Sequence, residues 1–553
     1  MSVDLQIAAL PVRKASGVQA SISRWTAFLF GIHCISLSSS GIIVFAGVGS
    51  VWPGASIVGV LTIALIFCII HASAVSVIGR IAPQEGADYV FASRVVSPRL
   101  AFAFSWTFVL FSGVVAGGLA AWVPTTALPG LLRPIAIIFH DPQYADLADF
   151  ASSKPGIVMI GGLIIAIAAF TTVQAGAFLR SLLTAGFIFG VLAWAVILWS
   201  LAHAHGPDAF RDAWNHFMSS SSAYGAFDKR IPLAEAAGMH ISHSVSQMTL
   251  GGLIMGFWIY YGYYIPTFFA EEVKRPQTTL IVASLSSLLF AYVIFVSAAL
   301  LMNRLVPSDW IAAEGYIANN HDLVKVAAGG RDIVAMPWIT FYAAILQPSP
   351  ALVFIVTFGW LFTLINLVQT YLFYSSRIVF SWAQDRVVPD WLLGPPGNPS
   401  FNRAVLMISL LAAIGLIDAA NGGPLGTQLT FAFFAVVTQL VPLFALTVLP
   451  KLRPELFKRL PEWLRRAVLG VPLSSYLAAL TLAYLLWMTI ASFVFPAAGI
   501  ANPFATVSIL VLFVLSGLCV FVTMRRHRKK FDDIDIEDTY RSIEGTGGTD
   551  DWV

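Results

Sequence analysis

From Ile57 to Ile78 no side chain carries a formal charge, and an apolar run of that length has one natural solvent. A helix crosses the hydrocarbon core of a bilayer with about 20 apolar residues, and there it must satisfy its own backbone. The pattern recurs along the whole chain. Apolar stretches at about 25–50, 55–79, 100–123, 156–175, 179–202, 249–270, 279–302, 350–382, 404–420, 427–449, 472–495 and 504–524 predict twelve spans. Charged residues make up only 11% of the chain, against roughly 25% in soluble domains, so a water-facing surface cannot be covered. An all-α membrane protein is expected. The first 24 residues hold no apolar core ahead of a cleavage site, so no removable signal peptide is expected. Cys34, Cys68 and Cys519 all fall inside apolar runs, far apart, which suits small buried side chains and excludes a disulfide framework.

The net charge of +3 says little, but its distribution orients the chain. With the N-terminus in the cytoplasm, 24 of the 32 Lys and Arg fall on inner segments, including Lys451–Arg466 and Arg525–Arg541. The other eight, among them Arg133, Arg211, Arg230 and Lys325, fall outside. A threefold excess satisfies the positive-inside rule, and an even number of spans returns the C-terminus to the same side. The expected organisation is a cytoplasmic segment 1–24, a core 25–449, a linker 450–471, two further spans within 472–524 and a cytoplasmic tail 525–553. Three outer loops, about 124–155, 203–248 and 303–349, are long enough for short helices. Leu452, Leu456, Leu460 and Trp463 among basic residues predict an interfacial amphipathic helix. The acidic, then Gly/Thr-rich tail after Phe531 is expected to be disordered.

Catalytic signatures are missing: no His-Glu-x-x-His, no Gly-x-Ser-x-Gly, no phosphate-binding loop and no Cys-x-x-Cys occurs. No catalytic residue, cofactor or metal site is expected, and no filter loop or charged ring suggests a channel. Two spans instead carry the marks of broken helices. The first contains Ser38-Ser39-Ser40-Gly41, where small residues weaken the helix and free N–H groups for an anion; close helix packing explains the same residues equally well. The sixth reads Trp258-Ile259-Tyr260-Tyr261-Gly262-Tyr263-Tyr264-Ile265-Pro266, with Gly262 and Pro266 a turn apart and able to open the hydrogen-bond ladder. Gly-xxx-Gly pairs at Gly113/Gly117, Gly186/Gly190 and Gly252/Gly256 read as packing contacts.

Four motifs carry a resemblance to a known family. Ser39-Ser40-Gly41-Ile42 resembles a Gly-Ser-Gly-Ile of the first helix. Pro83-Gln84-Glu85-Gly86-Ala87-Asp88-Tyr89 resembles a Pro-x-x-Gly-Gly-x-Tyr loop. Ala270-Glu271-Glu272-Val273-Lys274-Arg275-Pro276 resembles the end of a sixth helix, and Ser376-Arg377 with Ala383-Gln384-Asp385-Arg386-Val387-Val388-Pro389 resembles the stretch after an eighth. Together, across about residues 24–450, they resemble the amino acid–polyamine–organocation (APC) superfamily of permeases. The resemblance implies a leucine-transporter-like fold, two inverted repeats of five helices with two added.

By the same resemblance, substrate lies between the broken first and sixth helices. Ser40 and Gly41 would hold a carboxylate, with Ser39 where the family usually has Gly, narrowing the anion site. Carbonyls of Leu37, Trp258 and Tyr261 would take the amino group. Gly262 would be the pivot, Tyr264 its continuation, Tyr371 an occluding aromatic, and Phe111 and Ser112 the side-chain pocket. The implied activity is secondary transport of neutral amino acids across the cell membrane, as permease or antiporter. A polyamine or amine carrier, or a sensor that keeps the fold without transport, are the alternatives. Amino acid and lipid bilayer are the implied partners, with a coupling proton or sodium ion left open and no nucleic acid. The fifth span, Leu182 to Trp199, lacks the lysine of some proton-linked relatives. His33 and His71 are the ionisable groups left at depth, so exchange or uniport is expected ahead of proton coupling, and sodium last.

Overall fold

The computed structural model describes residues 18–174, 176–219, 224–395, 400–423, 425, 431–495, 500 and 502–540. Its apolar helices are α1a (Arg24–Ile35), α1b (Leu37–Ile42, continuing to Val51), α2 (Ile57–Ile81), α3 (Pro98–Trp122), α4 (Lys154–Gln174) and α5 (Gly176–His203). A second run follows: α6 (Val245–Tyr260), α7 (Pro276–Leu305), α8 (Pro350–Gln384), α9 (Asn402–Ala420) and α10 (Phe431–Leu452). Last come α11 (Leu473–Val494) and α12 (Pro503–Phe531). With α1a and α1b counted as one span, eleven of these are long and apolar enough to cross a bilayer. α6 is shorter because it stops at Tyr260. Local sequence sets many of the starts. Ser56 and Ser97 cap α2 and α3 by accepting from Gly59 and Leu100 N–H, and Pro98, Pro276, Pro350 and Pro503 open α3, α7, α8 and α12, where a missing N–H does no harm. Each run of five begins with a helix interrupted near its middle or end and has its longest element third, α3 running on to Phe139 and α8 covering 35 residues.

Residues 18–23, the ends of α2 and α8 and the segment after α12 lie at one face, hereafter the termini face. The described residues of the long connections 204–244 and 306–349 lie at the other, the loop face. Between the faces, glycines allow close approach as expected. A Cβ on Gly117 would run into Ala412 of α9, one on Gly186 into Asn366 of α8 and one on Gly256 into Ala64 of α2. The loop face is built from short helices, among them Pro207–Met218, Arg230–Ala236, Ser308–Asn319 and Ile339–Leu346. They close around a buried ion pair. Arg230 meets Glu314 through Nη2–Oε1 at 2.9 Å and Nε–Oε2 at 2.8 Å, both side chains fully buried. Arg230 also donates to Val334 O at 2.7 Å, and Glu314 accepts from Met336 N at 2.6 Å. The pair therefore stitches three separate chain segments.

Two expectations fail. The amphipathic helix expected near 451–466 is not continuous: Pro454 and Pro461 each open a separate short turn, Pro454–Phe457 and Glu462–Arg465, and a hairpin pairing Ala467–Val468 with Val471–Pro472 follows. Proline cannot donate the helical hydrogen bond, so two of them cut the helix into turns. The tail after Phe531 is ordered at least to Tyr540. Ile536–Tyr540 forms a single turn whose Ile536 is fully buried, while Asp535 and Glu537 meet Arg525, and Glu537 meets Arg99 at 3.1 Å. Its acidic character selects the basic end of α12 rather than solvent. Residues 541–553 lie outside the described residues.

Removing one member of a buried ion pair leaves the other charge uncompensated, at a cost of about 3–5 kcal/mol. Glu314→Ala is therefore expected to unfold the loop-face lobe. Limited proteolysis of intact protein should then cut between 224 and 340 while the helical bundle resists. Wild-type resistance in that variant would show that the pair is dispensable.

Candidate functional site

The chain leaves helical conformation twice in the middle of the bundle, and the two places touch. α1a ends at Ser36, whose backbone is left-handed at φ 55°, ψ 90°. Ser36 serves both halves: its N–H donates to Ile32 O at 3.0 Å, its Oγ accepts from Ser39 N at 3.3 Å, and its carbonyl accepts from Ser40 N at 2.9 Å. α6 ends at Tyr260, and Gly262 turns the chain at φ 114° into a short 3₁₀ turn, Ile265–Phe268. A side chain on Gly262 would stand 2.6 Å from Cys34 Cβ, so the last turn of α1a occupies the space that only glycine leaves open.

Ser40 joins the two breaks. Its hydroxyl points at Ile35 O, the end of α1a, at 2.6 Å and at Ile259 O, the end of α6, at 2.7 Å. A single hydroxyl thus serves two carbonyls that the interrupted helices leave without helical donors. Ser38 fixes α1b to α8, donating to Trp360 O at 3.1 Å and meeting the Thr363 hydroxyl.

A cavity of about 1110 Å³ runs from these breaks towards the loop face. Its deep end is walled by Cys34, Ile35, Ser39, Ser40, Trp258, Tyr261, Leu367 and Tyr371, and its mouth by Trp122, Asn319, Asn320 and Trp338. Among the described residues, no Asp, Glu, Lys or Arg lines it. Below the breaks the chain is shut. Gly86 N donates to Phe268 O at 2.7 Å, Glu85 pairs with Phe269 as an isolated bridge, and Ile22 pairs with Val273. Arg377 Nε donates to Glu272 Oε1 at 2.7 Å while its guanidinium lies over Phe373 and Phe401, at 3.5 and 3.9 Å from their centres. Arg94 grips Asp385 with two hydrogen bonds of 2.6 and 2.8 Å, and Tyr540 of the tail covers it, the ring 4.8 Å from the guanidinium and the hydroxyl 2.9 Å from Tyr89 Oη.

Of the residues expected at the site, Ser39, Ser40, Trp258, Tyr261 and Tyr371 are brought together in the cavity wall. The others stand elsewhere. The break expected at Ser39-Ser40-Gly41 falls at Ser36, so Leu37 already belongs to α1b, with its carbonyl inside the helix and its side chain buried. Gly41 faces away from the cavity: a Cβ there would stand 2.7 Å from Trp194 Cζ2 of α5 and 3.2 Å from Trp360 of α8. Phe111 stacks on Phe434 of α10, with centres 5.4 Å apart, and Ser112 accepts the Tyr374 hydroxyl at 3.1 Å. Gly262 sits behind the wall, and Tyr264 packs edge-on against His71. Both buried histidines have partners: His33 Nε2 lies 2.7 Å from Leu183 O and His71 Nδ1 lies 2.6 Å from Tyr263 Oη.

Sequence reasoning missed Ser36 and the pairing of Glu272 with Arg377 and Arg94 with Asp385. Ser36 was open to detection as a Ser two residues ahead of Ser38, a helix-capping residue within an apolar run. The ion pairs join residues 105 and 291 positions apart, and no local signal links them.

A helical bundle with two abutting breaks, a cavity from them to one face and a closed opposite face defines a multi-pass membrane transporter. The amino acid permease family model matches residues 31–533, and the chain belongs to that family, within the APC superfamily. No curated protein sequence matches it.

Ser40→Ala removes the donor from two buried carbonyls, which costs about 1–3 kcal/mol for an unsatisfied buried group. It is expected to lower the melting temperature of substrate-free protein. An unchanged melting temperature would mean that the Ser40 hydroxyl acts on substrate alone. Gly262→Ala, which adds both a strained φ and a collision with Cys34, is expected to be more damaging than Ser40→Ala in the same measurement.

Proposed function

We propose that this permease moves neutral amino acids as a secondary transporter, by exchange or uniport, across the cytoplasmic membrane of the cell with both termini inside. The observation that carries the substrate class is the uncharged cavity wall, which ends at two opposed helix termini. The first turn of α1b presents N–H groups and the positive end of a helix dipole, while α1a and α6 present carbonyls and negative ends. A zwitterion satisfies both: its carboxylate lies against the amides that directly follow Ser36, its ammonium against the carbonyls at the ends of α1a and α6. Trp258, Tyr261 and Tyr371 then enclose an apolar side chain, and their rings also favour the ammonium.

A side chain with a second charge would enter this wall without a partner, at a cost of roughly 3 kcal/mol on insertion scales. Ser39 and Ser40 line the site, Ser40 also holding its two carbonyls. Gly41, Leu37, Phe111, Ser112, Gly262 and Tyr264 shape it from behind. The orientation is supported by the basic residues, 24 of 32 of which fall on the segments expected inside from the sequence. The preference for exchange or uniport rests on α5, which carries no lysine from Leu182 to Trp199, and on His33 and His71, each engaged by a neighbour.

Uptake into proteoliposomes should be competed by alanine, leucine or phenylalanine and not by arginine or glutamate. Blocking the carboxylate of the best competitor as an amide should weaken it tenfold or more, the worth of a charge-assisted hydrogen bond of about 1.5–3 kcal/mol. If the amide competes as well as the acid, the substrate is an amine and the proposed pose is wrong.

A further inference from the structure

The hairpin that interrupts the linker before α11 is built in an unusual way for a water-facing turn. Leu469 and Gly470 both have positive φ, 51° and 79°. Two-residue turns of that kind normally take Asn or Asp followed by Gly, because a branched apolar side chain is strained there. Here the strained position holds a leucine that is 94% exposed, flanked by exposed Val468 and Val471, and the short turn just before the hairpin carries an exposed Trp463. Exposed apolar side chains grouped in this way mark a surface that meets another apolar one.

The hairpin's position says what that is. Tyr476 donates its hydroxyl to Val468 O at 3.1 Å. Tyr476 belongs to the exposed apolar stripe of α11 that continues through Leu480, Leu486 and Ile490, the side of the helix that faces lipid. The hairpin is thus tied to the lipid-facing side of α11, at the termini face. Beneath it, Leu456, Leu460 and Leu464 are buried against the bundle, which turns Lys458, Arg465 and Arg466 outward. From Lys451 to Arg466 there are six basic and two acidic residues. An exposed apolar tip, a tyrosine and a basic cluster thus stand together beside the lipid-facing side of α11, the chemistries that meet acyl chains, interface and phosphates in a leaflet.

We propose that the 451–472 linker is a docking site for anionic phospholipid headgroups, with Leu469 and its apolar neighbours inserted into the leaflet at the termini face. Arg465, Arg466 and Lys458 take the phosphates. The site lies away from the cavity and stands whether or not the proposed substrate and orientation hold, since it needs only the leaflet at that face. It also gives the bilayer a grip on the segment that leads from α10 to α11, and α11 reaches α6 through the Tyr484 hydroxyl on Leu253 O at 2.9 Å.

The test uses full-length Cys519→Ser, Leu469→Cys protein, in which Cys34 and Cys68 remain buried, labelled at 469 with an environment-sensitive fluorophore. It is reconstituted in phosphatidylcholine vesicles with or without phosphatidylglycerol. The expected result is a blue-shifted emission, quenched by shallow lipid-attached quenchers, that strengthens with phosphatidylglycerol and weakens in high salt. Arg465→Gln with Arg466→Gln should lower the inserted population about fivefold per charge removed. A water-like emission in both lipid mixtures, or an emission indifferent to the two substitutions, overturns the proposal. If inorganic phosphate added to phosphatidylcholine vesicles reproduces the shift, the ligand is a free anion and the lipid assignment falls.

Discussion

Inside a bilayer, a backbone that stops being helical must find partners for the groups it frees, because no water reaches them in lipid. This chain meets that requirement by placing both interruptions side by side in the protein interior. Ser36 caps the end of one half-helix and the start of the other, Ser40 donates to the terminal carbonyls of both α1a and α6, and Gly262 makes room for Cys34. Every other feature of the site depends on that junction. The cavity exists because the junction stops short of filling the space between α1b, α3, α6 and α8, and its polar end exists because the junction leaves amides and carbonyls at one level.

Charge is distributed accordingly. Among the described residues the cavity wall carries none, whereas the closed termini face concentrates it in two buried pairs, Glu272 with Arg377 and Arg94 with Asp385. Buried pairs of this kind contribute little net stability, because desolvation offsets attraction. Their value lies in register: Arg377 can meet Glu272 only when α8 and the segment after α6 are in this arrangement, with Phe373 and Phe401 on either side of the guanidinium. Opening the termini face must break that contact and the Gly86–Phe268 hydrogen bond. At the loop face the Ser308–Asn319 helix is joined to the segment continuing from α1b, Asn319 Nδ2 donating to Ala46 O at 3.0 Å.

What was legible in the sequence follows from range. Span positions are written in apolar run length and came out within a few residues, except that α6 stops at Tyr260 rather than near 270 and α12 runs on to Phe531 rather than 524. The break in α6 was legible because Gly262 and Pro266 are the residue types that interrupt helices. In the first helix the small-residue cluster Ser38–Gly41 points to a break about four residues too late, whereas the chain turns at Ser36, a non-glycine in a left-handed conformation that composition does not advertise. The resemblance implies that Gly41 holds the carboxylate with Ser40, but a glycine's empty side says nothing of which neighbour fills it, and here Trp194 does. The tail was read from its own composition as unfolded. Its order depends on Arg99, Arg525 and Tyr89, the first and last of them more than 400 positions away.

The most direct measurement is an experimentally determined structure with a transported amino acid bound. Density for the zwitterion is expected at the deep end of the cavity, its carboxylate beside the amides that follow Ser36 and its ammonium beside the carbonyls at the ends of α1a and α6, with Tyr371 against its side chain. Density elsewhere in the cavity, or a first helix that runs unbroken through Ser36, would contradict the junction as the substrate site.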